Sequence, residues 1–193
     1  MQESIQVSDS LIIGTGRDRV CYEHPIKPEL CIKIAKKREK QTRREILYQW
    51  ILSIRGVDLS LISQYQYMCE TNVGKGAVFE LIRNENGDVS ETLTQAIKNH
   101  TLTREQVSEL TQNLKDYLTQ NAICVRDLSP NNIVVQKLAG STKPIIIDGV
   151  SNPTSNPLVL LTPYLARRSL KKSWASMQNK INKLHLKYSD ENS

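Results

Sequence analysis

Seven tyrosines, two tryptophans and a single phenylalanine, Phe79, make this chain poor in aromatic residues, at 5% of 193 residues. Stacking platforms for single-stranded nucleic acid have little to be built from, and no nucleic-acid motif is present. The four cysteines, Cys21, Cys31, Cys69 and Cys124, are widely spaced, and none sits in a C-x-x-C pair. They read as buried reduced thiols, not as zinc ligands or disulfides. His24, His100 and His185 form no cluster of metal-binding spacing, and no serine or cysteine lies in a nucleophile motif, so hydrolase and zinc chemistry are unsupported. Long apolar runs are also missing. Runs such as 145–147 and 158–161 fall far short of the roughly 20 residues of a membrane span. The start, Met1-Gln2-Glu3-Ser4, lacks the positive charge and apolar stretch of a secretory signal, which makes the cytoplasm the expected location.

Acidic residues are absent between Asp148 and Asp190, a stretch that holds Arg167, Arg168, Lys171, Lys172, Lys180, Lys183 and Lys187. With a net charge of +6 for the whole chain, this tail is a basic segment suited to an anionic partner, or else a plain solvated helix face. Up to residue 82 the pattern is strand-like with turn signals, over 11–13, 19–22, 30–34, 65–70 and 77–82, and one helix is predicted over 42–55. Asn86-Gly87-Asp88 supplies the closing turn. A short helix is expected over 91–98. Then Thr103 and Gln106 form a capping box ahead of Val107, Leu110, Leu114 and Leu118, which share one helical face. Brief strands follow over 133–135 and 144–147. Pro153, Pro157 and Pro163 interrupt the chain before a last helix over 164–188, whose Leu170, Trp174, Met177, Ile181, Leu184 and Tyr188 form a core-facing stripe. One α+β domain over 1–193 is expected, with a small antiparallel-sheet lobe carrying one helix (1–84), a mainly helical lobe (85–188) and a frayed tail (189–193).

The chemistry lies in a few short strings. In Val125-Arg126-Asp127-Leu128-Ser129-Pro130-Asn131-Asn132-Ile133, a carboxylate and a neutral amide stand five residues apart between a long helix and a short apolar strand. A carboxylate placed so can take a proton, and an amide oxygen can join a hard-cation site without adding repulsive charge. The run Ile145-Ile146-Ile147 ends at Asp148-Gly149, which fixes a second carboxylate at a cleft edge or merely caps a turn. Gly14-Thr15-Gly16 joins two strands with bare backbone that phosphate could approach, and a hairpin turn is the plainer reading. Lys33, in Cys31-Ile32-Lys33-Ile34, carries a charge into an apolar strand and so demands a partner. Glu45 in Arg43-Arg44-Glu45-Ile46 is the expected one and Glu39 its rival.

In order, these strings resemble the catalytic loop, metal-binding D-F-G, glycine-rich loop and V-A-I-K strand of protein kinases. The resemblance implies a minimal bilobal protein-kinase-like fold with a truncated second lobe. It implies Asp127 as the catalytic base, Asn132 and Asp148 as ligands of Mg²⁺, and Gly14, Thr15, Gly16, Lys33 and Glu45 around ATP. Val78-Phe79-Glu80-Leu81-Ile82 stands where adenine would meet a hinge backbone, with Glu80 as the contact, although Phe79 reads equally well as core. The strings "IIGTGRDRVCYEHP", "CIKIA" and "RREILY" look more closely like the YrbL family, small bacterial proteins named for the PhoP regulatory network and grouped with kinase-like folds. Asp127-Leu128-Ser129 also resembles the atypical RIO kinases. Departures are Val125 for histidine, Ser129 for a lysine that neutralises the transferred phosphoryl group, Arg19 at the third glycine and Gly149 for phenylalanine. Losing that cation would cost about 10²-fold in rate unless Arg126 or a residue of the basic tail substitutes. Only 45 residues follow Asp148, without the helices on which protein kinases bind peptides. The expected activity is ATP- and Mg²⁺-dependent transfer to a hydroxyl of a protein or small molecule. The alternative is a non-catalytic nucleotide-binding pseudokinase acting through its basic helix, and a basic adaptor for anionic surfaces is a third reading.

Overall fold

The computed structural model describes residues 4–37, 40–151 and 163–189. Short runs rich in apolar and β-branched residues form five strands: β1 (Ile12–Thr15), β2 (Arg19–Glu23), β3 (Leu30–Ala35), β4 (Tyr65–Thr71) and β5 (Gly74–Glu80). They make one antiparallel sheet in the order β1-β2-β3-β5-β4. Strand edges differ from expectation where turns decide them. β1 runs on to Thr15, so Gly14 and Thr15 lie in the strand, and only Gly16 N, donating to Arg19 O at 2.9 Å, closes the turn. β5 begins at Gly74, whose φ of 126° completes the hairpin after Thr71, and it runs to Glu80, beyond which the Leu81 amide still donates to Glu29 O at 2.8 Å in the register of the β3 pairing.

Both faces of the sheet are covered. Tyr22, Leu30, Ile32, Ile34 and Val78 pack with Val7 from the N-terminal segment on one face, while Cys31, Ala77 and Phe79 form a smaller cluster on the other. α1 (Lys40–Ile54) buries Glu45, Tyr48, Gln49 and Leu52. Through Tyr48 and Leu52 it joins the core of the second lobe. The lobes are stitched by backbone bonds from Ser63 N to Ile146 O and from Ile146 N to Leu61 O, both 2.9 Å.

The second lobe comprises α2 (Leu93–Lys98), α3 (Arg104–Gln120), the hairpin β6 (Ile133–Leu138) and β7 (Ser141–Ile146), and α4 (Pro163–Ser189). α3 starts at the Thr103–Gln106 capping box, and α2 has a second box from Thr92 and Gln95 that shortens the expected helix to Leu93. The hairpin is longer than expected because Gly140, at φ 70°, lets the strands continue to the turn. Leu170, Met177 and Ile181 of α4 are buried in the main core, Trp174 and Leu184 pack against it, and the basic residues Arg167, Arg168, Lys171, Lys172, Lys180, Lys183 and Lys187 face outward. The stripe is core. All four cysteines are free, with Cys31 and Cys124 buried and the other two half-buried. Glu39, Pro153, Pro157 and residues 190–193 lie outside the described residues.

Candidate functional site

Between the lobes lies a cleft of about 820 Å³ lined by Gly14, Thr15, Gly16, Lys33 and Glu80 from the sheet, and by Asp127, Asn132 and Asp148 from below. Each side chain arrives by a different local device. Cross-strand pairing puts Lys33 of β3 in one row with Cys21 of β2 and Ala77 of β5, on the sheet face turned toward the cleft. Asp127 sits in the loop after α3, held from beneath where Cys124 N donates to Tyr48 Oη at 2.8 Å. A 3₁₀ turn, Pro130–Asn132, presents Asn132, whose Nδ2 donates to Asp127 O at 2.9 Å. That bond leaves the amide oxygen as the atom free to meet a cation. Asp148 follows the end of β7, and its Oδ1 accepts from the next amide, Gly149 N.

Gly149 is a necessity of this packing. Its φ is 87°, a Cβ there would lie 2.6 Å from Asp127 O, and its own carbonyl accepts from Arg126 N at 2.8 Å. The two acidic segments touch through backbone that no side chain could separate.

The expected Lys33–Glu45 ion pair is replaced by another. Arg19 reaches across from β2, donates from Nη1 to Glu45 Oε2 at 2.9 Å and from Nη2 to Asp148 Oδ1, and is itself buried. Arg19 wins because its longer fork spans two carboxylates at once. Lys33 Nζ instead donates to Ile147 O and lies 3.9 Å from the centre of the Phe79 ring. Glu45 therefore stands behind the cleft and not in its lining, 2% exposed. Burial is the largest influence on its carboxyl and, with Asp148 adding to it, holds it above the usual range against the pull of Lys33 and Arg19.

Phe79 is core, wholly buried and edge-on to Tyr65. The hinge amide expected at Glu80 is already used, since Glu80 N donates to Gln64 O at 3.0 Å while its carbonyl accepts from Ser63 Oγ at 2.8 Å. Gly14 and Gly16 have room above them: an added Cβ meets nothing within 4 Å at Gly14, and at Gly16 only Arg19 O, 3.6 Å away. Two residues of the site are not singled out by the sequence pattern. Arg19 was visible only as a missing glycine, and Lys180 of α4, whose Nζ is 3.8 Å from Asp127 Oδ1, gave no signal beyond a basic tail.

Among the described residues no group of three histidine, cysteine, aspartate or glutamate side chains could hold a metal by itself. Hard oxygen donors from Asn132 and Asp148 do suit Mg²⁺, which takes one or two protein ligands and completes its shell with phosphates and water. Arg19 would first have to release Asp148. Among the same residues no helix is long and apolar enough to cross a membrane.

These observations define a two-lobed α+β protein whose interlobe cleft gathers carboxylates, an amide and basic side chains. The chain belongs to the family described as PhoP regulatory network protein YrbL, whose model matches residues 5–182. It is 33% identical over 177 residues to "Uncharacterized protein YrbL" of Escherichia coli (strain K12), covering 88% of this chain and 84% of that one. The protein of the same name from Shigella flexneri matches to the same extent.

Proposed function

We propose that the protein is an ATP- and Mg²⁺-dependent phosphotransferase of atypical, kinase-like type, moving the γ-phosphoryl group to a hydroxyl acceptor in a bacterial regulatory context. The observation that carries this reading is convergence: Asp127, Asn132, Asp148, Lys33 and the open backbone at Gly14 and Gly16, scattered over 135 positions of sequence, all line one cleft.

Asp127 orients the acceptor hydroxyl and takes its proton as the acceptor oxygen bonds to phosphorus, and the electron pair of the breaking P–O bond leaves with ADP. Lys33 holds phosphate from the sheet side, where it already reaches the chain beside Asp148. Asn132 and Asp148 would hold Mg²⁺, which supplies charge neutralisation on the phosphates. The bare backbone of Gly14 and Gly16 leaves space for phosphate to come close.

One observation favours a second reading. Arg19 is paired with Asp148, as suits a pseudokinase that senses nucleotide and signals through its basic helix, without transfer. Labelling with γ-labelled ATP separates the two. In the phosphotransferase, the native chain turns over ATP, whereas Asp127→Ala and Asp148→Ala both lose turnover. Nucleotide binding with no turnover across protein and small-molecule hydroxyl acceptors would leave only the sensor, and absence of Mg²⁺-dependent nucleotide binding would defeat both.

A further inference from the structure

The proposed transfer gathers negative charge on the moving phosphoryl group, and the cations of the cleft are unevenly placed to meet it. Arg19 lies between Glu45 and Asp148, and Lys33 is bonded to Ile147 O, so both stand on the sheet side. On the acceptor side, position 129 is a neutral, buried serine. There the one basic side chain in ion contact with Asp127, among the described residues, is Lys180 of α4.

The position of Lys180 is fixed by two neighbours and one hydrogen bond. Met177 and Ile181, on either side of it, are buried in the core. Ser173, seven residues earlier, donates from Oγ to Val125 O at 3.1 Å, two residues before Asp127. Seven residues make about two helical turns, so Ser173 and Lys180 lie on the same edge of α4, and that edge runs along the catalytic loop. The lysine head itself is loose. At 3.8 Å from Asp127 Oδ1, with its side chain 46% exposed, it is beyond hydrogen-bond length and contributes little to stability. A flexible four-carbon stem rooted in a rigid helix can turn its ammonium from the carboxylate to a phosphoryl oxygen.

We infer that Lys180 is the cation that meets the transferred phosphoryl group at the acceptor end of the cleft, supplied by the last helix in place of the lysine that Ser129 replaces. The inference rests on the phosphotransfer reading and assigns a role within it. Lys180 makes and breaks no covalent bond. It stays protonated while the acceptor proton passes to Asp127 and the bridging electron pair to ADP, and it offsets charge on the moving group.

The test uses the full chain with Lys180→Ala, Lys180→Arg and, as a control for general charge, Lys183→Ala. Three quantities are measured: turnover of ATP, affinity for ADP, and affinity for ADP with Mg²⁺ and aluminium fluoride, a mimic of the phosphoryl group in flight. Lys180→Ala is expected to lower turnover by about 10²-fold and to weaken the fluoride complex in proportion, with ADP affinity unchanged within about twofold. Lys180→Arg should recover most of the loss, and Lys183→Ala should resemble the native chain. The inference is overturned if Lys180→Ala keeps turnover and fluoride-complex affinity near native values, or if Lys183→Ala does equal damage. A native chain that holds the fluoride complex through Lys180 without turnover would keep the contact and remove the transferase reading. A native chain that binds no nucleotide would end both.

Discussion

At the sheet end of the cleft, Arg19, Glu45 and Asp148 form an ion cluster with the guanidinium buried, whereas at the helical end Asp127 has 64% of its side chain exposed and meets a lysine only at 3.8 Å. Charges taken out of water must be paired well or not be there, so the first end is rigid and coupled to folding. Charges left in water are weakly held and free to move, so the second end is available to chemistry. The same residue types thus do opposite work within one cleft. Changes to Arg19 and Glu45 should register as stability before they register as function, and changes at the helical end the other way round.

The largest effect is expected from breaking the buried cluster on one side. Arg19→Met leaves Glu45 buried without its bonded partner and should cost about 3–5 kcal/mol in urea unfolding. Adding Glu45→Gln removes the stranded charge and should restore most of that loss, giving strong coupling in a double-mutant cycle. Purely additive effects would break the contrast, since they would mean the sheet end behaves like an exposed one.

Next in size comes the seam between the two ends. Gly149→Ala forces a left-handed residue and places a Cβ 2.6 Å from Asp127 O, so it should cost about 2 kcal/mol or more. Because the clash is with backbone, the loop carrying Asp127 must shift, and under the proposed function ATP turnover should fall along with the melting temperature. Stability and turnover that both stay native would show the seam to be slack.

What could be read from sequence follows the same division. Asp127, Asn132 and Asp148 were legible because a loop between helix and strand, and a carboxylate ending an apolar strand, are local patterns. The capping box at Thr103 and the α4 stripe were legible for the same reason. Partner choice was not. Lys33 and Glu45 are placed correctly on β3 and α1, yet the bond goes to Arg19, because the competition depends on side-chain reach across a turn. Gly149 read as a missing phenylalanine, and its cause, the approach of Asp127 O, exists only after the lobe has folded. Lys180 reaches Asp127 across 53 positions, a contact that helix periodicity cannot foresee.

Glu91 tests the ground between the extremes, lining the cleft half-buried with Oε1 accepting from Lys137 Nζ at 2.8 Å and from Thr101 Oγ1. Burial, the largest single influence, pushes its carboxyl up, but the bonds from Lys137 and Thr101 together prevail and hold it below the usual range. A depressed folded value means stability that is present above the ordinary glutamate range, about 4.3, and lost as pH falls through the lower folded value. Glu91→Gln should therefore cost about 0.5–1 kcal/mol at neutral pH, and the deficit should shrink in acid, as read from urea midpoints across pH. A deficit independent of pH would assign the loss to packing.

The smallest expected change in stability is at Asp127. Its carboxylate faces water, its pairing with Lys180 is loose, and the contacts that hold its loop are made by backbone: Asp127 O with Asn132 Nδ2, and Arg126 N with Gly149 O. Asp127→Asn keeps all of these and removes only charge, so unfolding should shift by less than about 0.5 kcal/mol. Under the proposed function, the same change should abolish turnover while nucleotide still binds. A stability loss comparable to that of Arg19→Met would mean that Asp127 is a structural acid, and the division between the two ends of the cleft would fail where it matters most for function.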